Sequence, residues 1–256
     1  MKQHAYPTPA HERAAAAITA FFAARDETDA VRLVNSCARG KATLDSCLDL
    51  QVIVPTEAVE HVDAEWREFA RDSDAIAGLI AAGRFSELHL DVWDGVVTPG
   101  VIDDEGFDYF EVSVGNLFVY SMPLYTDGDR FDRLASQWLP FYDDELRRER
   151  LARARWFVLE NNLARIPWYV GRELHFQAFD RFYRAFQGFL LGLHVSRRTY
   201  PLDYDKWIRE QVAENLGLPD LYEQLPHLFE LVPFESAALE RSAAALGELT
   251  EEYVVD

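Results

Sequence analysis

The strand signals of this chain all fall before residue 127, and beyond residue 129 the pattern is helical to the end. Residues 30–34 form a short apolar run, and residues 48–54 are rich in β-branched side chains and closed by Pro55. Residues 87–93 alternate polar and apolar, as a half-buried strand does. Residues 107–114 also alternate (Phe107, Tyr109, Glu111, Ser113), and residues 117–122 are apolar, so Gly115-Asn116 between them reads as a hairpin turn. Thr8-Pro9 marks the start of a first helix through residue 24, and residues 56–82 favour a long second one ending near Gly83. In the second half Pro140, Pro167, Pro201, Pro219, Pro226 and Pro233 cut the chain into about five helices. The expected fold class is therefore α+β: residues 1–127 form a mixed sheet with flanking helices, and residues 128–256 a helical, bundle-like domain. A strand-rich module beside a helical one places the expected site in the cleft between them.

Charge narrows the partners. With 25 basic and 44 acidic residues the net charge is −19, a field that repels nucleic-acid backbones and anionic lipid. Long DNA or RNA and membranes are excluded as partners on this reading, and a cationic acceptor is weakly favoured. No apolar run reaches the roughly 20 residues needed to span a bilayer. The first residues lack the apolar core of a signal peptide, so a cytoplasmic location is expected. Cys37 and Cys47 are the only cysteines, too few for a disulfide framework.

The chemistry concentrates in residues 34–52. Strand parity puts Cys47, Asp49 and Gln51 on one face and Leu48, Leu50 and Val52 on the other. The second set buries, so the first faces a cavity or solvent. Upstream, Ser36, Gly40 and Thr43 offer hydroxyls and unhindered amides of the kind that cradle phosphate oxygens. A carboxylate beside such a loop would repel phosphate unless a divalent cation lies between them. That combination points to Mg²⁺-nucleotide chemistry.

This segment resembles the signature of the nucleotidyltransferase superfamily, which includes the aminoglycoside and kanamycin nucleotidyltransferases and the minimal nucleotidyltransferases. Ser36, Arg39-Gly40, Asp45-Ser46 and Asp49-Leu50 fall at matching positions. The resemblance implies a phosphate-binding turn at Ser36, Arg39 and Gly40, paired aspartates holding Mg²⁺ on a triphosphate, and a third carboxylate on a neighbouring strand. Two positions depart from the pattern. Asn35 stands where glycine is usual, and asparagine tolerates such a turn better than most residues. Cys47 stands where the first aspartate is expected, and sulfur is a poor match for Mg²⁺. Asp45 has the right parity to replace it, but in an extended strand it lies roughly 13 Å from Asp49.

In residues 87–93, His89, Asp91 and Trp93 share a face. Asp91 is the expected third acid, a metal ligand or general base, with Glu111 the runner-up and His89 a structural neighbour. In the helical half the phenylalanines at 176, 179, 182 and 186 recur at core spacing. The stretch from Arg197-Arg198 to Lys206-Trp207 resembles a pattern in helical portions of nucleotidyltransferase-like proteins, and by that likeness Lys206 meets the triphosphate, with Arg197 a further candidate. The function the resemblance implies is Mg²⁺-dependent transfer of a nucleoside monophosphate from an NTP, ATP first, to a hydroxyl of a small molecule or protein. In it Asp49 and Asp91 bind metal. The alternative is a degenerate nucleotide-binding or antitoxin-like member of the same fold.

Overall fold

A computed structural model describes residues 6–83 and 87–256. The fold is α+β, and the chain divides into two compact units. One is built from residues 1–97 and 114–140, the other from residues 98–113 and 141–256. Residues 98–113 thus go with the helical unit, and residues 128–140 with the sheet, on either side of the boundary expected at residue 127.

Helix α1 (Pro9–Ala23) begins as its sequence dictates: Thr8 is extended, its Oγ1 accepts from the His11 amide at 3.3 Å, and Pro9 fills a first-turn position whose amide needs no partner. Strand β1 (Ala30–Leu33), the short helix α2 (Asn35–Arg39) and strand β2 (Leu48–Ile53) follow. The stretch expected as one helix over residues 56–82 is two, α3 (Val59–Asp72) and α4 (Asp74–Ile80). They meet at Ser73, whose backbone is extended (φ −84°, ψ 111°). There Asp72-Ser73-Asp74 offers side-chain acceptors that compete with helical bonding. Strand β3 (Leu88–Trp93) comes next.

Residues 107–122 depart most from expectation. They hold helix α5 (Phe110–Val114) and a π-helical turn (Gly115–Val119) instead of two strands and a hairpin. Strand β4 (Met122–Thr126) and helix α6 (Arg130–Trp138) complete the first unit. The Arg130 and Phe131 amides that open α6 donate to the Asp29 carboxylate at 3.0 and 2.8 Å, a cap supplied from a distant part of the chain.

The sheet is mixed, with order β3-β2-β1-β4. Strands β2 and β3 are parallel, their crossover carrying α3 and α4, and β1 is antiparallel to both β2 and β4. One face is apolar: Val31, Leu33, Leu48, Leu50 and Val52 share a core with Ile18 and Phe22 of α1, Val62 and Trp66 of α3, and Leu79 of α4. Each such side chain, fully buried, contributes about 1.5–3 kcal/mol. The other face carries the polar residues of β2 and β3.

The second unit is helical: α7 (Asp144–Trp156), α8 (Ile166–Val170), α9 (His175–Ser196), α10 (Pro219–Gln224) and α11 (Ala238–Tyr253). Phe182, Phe186 and Phe189 of α9 are buried in its core as their spacing requires, whereas Phe176 stays 76% exposed. Gly192 lets the chain terminus approach α9, since a Cβ there would lie 2.6 Å from Val254 Cγ1. No helix among the described residues is long and apolar enough to cross a membrane.

Candidate functional site

The turn after β1 and the 43–46 turn that follows it are each tied to the sheet unit by a hydrogen bond. Asn35, the first residue of α2, adopts φ +56°, and Gly40, just after its end, φ +69°, so two left-handed residues shape this turn. The Val34 amide donates to the Asp49 carbonyl at 3.0 Å, tying the turn to the first residues of β2. Buried His11 sits between Thr8 Oγ1 (2.7 Å from Nδ1) and the Ser46 carbonyl (2.9 Å from Nε2), which anchors the 43–46 turn on α1. Asp45 lies exposed in that turn and not on an extended strand.

Asp49 is the buried acid of the site, with 8% of its surface exposed. In the parallel ladder it stands opposite His89, and Gln51 stands opposite Asp91. His89 Nδ1 contacts Asp49 Oδ1 at 2.9 Å, and His89 Nε2 lies 3.2 Å from Glu87 Oε2. The hydrogen bond that His89 donates to Asp49 is the largest influence on it and raises its pKa above the ordinary value, over the opposing effect of partial burial. The partner brought to Asp49 is therefore His89; Asp91, exposed, lies one alternation further along, a rise of roughly 6.6 Å.

Cys47 precedes Asp49 on the same face, and a Sγ, a Glu87 carboxylate oxygen and a His89 ring nitrogen all lie within 4.8 Å of one another. Cys37 and Cys47 form no disulfide; Cys37 is buried and its Sγ reaches the Cys47 carbonyl at 3.5 Å. Burial first, then the Asp49 and Cys47 charges, push the Cys37 thiol up to about 12, which keeps it protonated and unreactive.

Further along this face, Gln51 Oε1 and Trp93 Nε1 are buried with no hydrogen-bond partner among the described residues. Ser36, Arg39 and Gly40, the expected phosphate-binding residues, lie on and after α2, next to the bond between Val34 and Asp49.

Other expected residues belong to the second unit. Glu111, the runner-up third acid, is not on a strand: it is fully buried in α5, where Arg150 donates to Oε1 at 2.8 Å and Oε2 at 2.6 Å. Tyr142 donates to the same carboxylate at 3.2 Å. A carboxylate so saturated is a structural ion pair. Lys206 belongs to the second unit, exposed, 3.9 Å from Asp203, and Arg197 is exposed just after α9. His89 is the residue that sequence reasoning undervalued.

Set against known protein families and characterised proteins, the sequence matches no family profile and no curated relative.

Proposed function

We propose that this chain is a nucleotide-binding protein of the nucleotidyltransferase type, taking an NTP where the 35–40 turn meets strand β2. The observation that carries this reading is the polar face itself. Asp49 lies beside the turn with Gln51 Oε1 and Trp93 Nε1 along the same face, both buried and lacking partners among the described residues. Each such atom costs about 1–3 kcal/mol until water or a ligand satisfies it. The chain order supports the same reading, since the turn at Ser36 leads to Asp49 on an antiparallel neighbour and Asp91 shares its face on the next strand.

The donor set decides how much metal chemistry fits. A Mg²⁺ ion arriving on a triphosphate takes most of its ligands from phosphate oxygens and water and needs one or two carboxylates from the protein. Asp49, with Asp91 further along, fits one such ion. A two-ion centre on paired carboxylates does not fit, because Cys47 supplies sulfur and His89 stands opposite Asp49. Transfer of a nucleoside monophosphate, ATP first, to a hydroxyl of a small molecule or protein is the activity this reading implies. Nucleotide binding without turnover is the second reading, favoured by that same sulfur and imidazole.

Labelled ATP with Mg²⁺, followed for both binding and pyrophosphate release, tests the proposal. Saturable binding, weakened at least about tenfold (1.4 kcal/mol) by Asp49→Asn, is the expected result. Binding indifferent to Asp49→Asn, or absent at millimolar ATP, overturns it. Pyrophosphate release that rises in Cys47→Asp assigns transfer; its absence from both proteins assigns the binding role.

A further inference from the structure

The residues that fit a two-ion magnesium centre poorly suit another metal well. We propose that Cys47, Glu87 and His89 form a site for a single borderline-soft divalent cation of the zinc class. The inference does not rest on nucleotide binding.

The site follows from the ladder. Parallel pairing of β2 and β3 sets Leu48 opposite Leu88 and Asp49 opposite His89, and the Leu48 amide donates to the Glu87 carbonyl at 2.9 Å. Alternation then turns Cys47 and Asp49 to the same side as Glu87 and His89. One sulfur, one imidazole nitrogen and one carboxylate oxygen come within 4.8 Å of one another. Around a tetrahedral ion with bonds of about 2.0–2.3 Å, ligand atoms sit roughly 3.5 Å apart. At most about 1.3 Å remains to be closed between any two of them, within reach of rotamer changes at Glu87 and His89, whose side chains are 71% and 57% exposed.

Asp49 supplies a second, independent observation. A zinc-bound histidine almost always gives its other ring nitrogen to a carboxylate, a backbone carbonyl or water, which fixes the tautomer and aims the ring. Here Asp49, itself nearly buried, takes His89 Nδ1 at 2.9 Å and leaves Nε2 directed toward Glu87. That arrangement serves a metal-ligating imidazole. Sulfur with imidazole and one carboxylate selects zinc over magnesium, which demands hard oxygen. Three protein ligands leave a fourth position for water or for an incoming group. On binding, the Cys47 thiol gives its proton to solvent and the thiolate takes the ion.

The test uses the full chain, stripped with chelator and free of nucleotide. Calorimetric titration with zinc chloride is expected to give one ion per chain, undiminished by millimolar magnesium. Cobalt(II) in place of zinc is expected to show a thiolate-to-cobalt charge-transfer band. Cys47→Ala removes that band, His89→Ala and Glu87→Gln weaken binding, and Cys37→Ala leaves it unchanged. Asp49→Asn, which leaves all three proposed zinc ligands in place, lowers affinity by about 10- to 100-fold. Wild-type protein that binds no zinc, or a cobalt complex lacking the thiolate band, overturns the proposal without any variant having to fold. Zinc affinity equal in wild type and Cys47→Ala overturns it equally. Because ATP is absent, failure here leaves the nucleotide reading standing, and failure of ATP binding leaves this one standing.

Discussion

Two acidic residues, each buried and each paired with a base, show how differently one chain can use a carboxylate. Glu111 has both oxygens taken by the Arg150 guanidinium, a third donor in Tyr142, and no exposed surface. Arg150 is further held by Asp108 and by the Gly100 carbonyl at 3.2 Å. Burial alone would lower the Arg150 pKa, but the Glu111 bonds and charge, then those of Asp108, raise it instead. Asp49 is bonded by a histidine more than half exposed, whose other nitrogen points to a second acid, Glu87, which is exposed. The first arrangement is closed to any ligand. The second ends at the surface, on groups that can be displaced or recruited.

Breaking the closed pair has the largest expected effect. Arg150→Met strands Glu111 in the helical unit without a counter-charge, and such a loss destabilises by about 3–5 kcal/mol. Arg150→Met combined with Glu111→Leu is expected to recover much of it, because an apolar replacement of a buried pair is often neutral. Denaturant melts of wild type, single and double variants measure this directly. A single variant within about 1 kcal/mol of wild type would falsify the claim that Glu111 is structural.

A second titratable group of the helical unit gives the next effect. His194 is fully buried in α9 and donates Nδ1–H to the Leu190 carbonyl at 2.8 Å. Burial is the main cause that drops its pKa from 6.5 to about 4, partly offset by that hydrogen bond. A depressed histidine is neutral in the fold and charged in the unfolded chain at mildly acidic pH. Its contribution is therefore intact above pH 6.5 and is lost as pH falls from 6.5 toward 4, on the order of 3 kcal/mol in all. Melts at pH 7, 5.5 and 4.5, compared with those of His194→Gln, isolate the term: the difference between the two proteins should shrink as the pH falls. A difference that stays constant across this range removes His194 as the cause.

The contrast also separates what the sequence spells out from what it conceals. The alternation in residues 48–53 and 88–93 follows from pleat geometry, so the polar face of Cys47, Asp49, Gln51, His89 and Asp91 was legible. Register was not. Sliding β3 by two residues keeps every face and exchanges His89 for Asp91 opposite Asp49, so alternation by itself does not choose between them. Glu111 was hidden by a coincidence of periods. Phe107, Tyr109, Glu111 and Ser113 alternate as in a strand, yet the buried residues are Phe110, Val114, Leu117 and Phe118, at helical spacing. The second pattern was present all along, and tertiary burial is what chose it. The left-handed turn at Asn35 was readable because asparagine is among the few side chains that accept it.

The smallest expected effects bear on the accessible half of the comparison. Asp49→Asn removes a charge from the His89 bond while keeping its shape, and trading a hydrogen bond to a charged group for a neutral one costs about 1 kcal/mol. Asp91→Asn alters an exposed side chain opposite Gln51, and its cost is expected to stay within about 0.5 kcal/mol. Thermal melts of the two variants side by side give the stabilities, and ATP titrations of the same samples give the second axis. If Asp49 is held for a ligand, its variant loses far more affinity than stability, the reverse of what Arg150→Met does in the helical unit. Should Asp49→Asn instead cost several kcal/mol and leave ligand binding intact, the two carboxylates would be alike after all, and the polar face of the sheet would be scaffold.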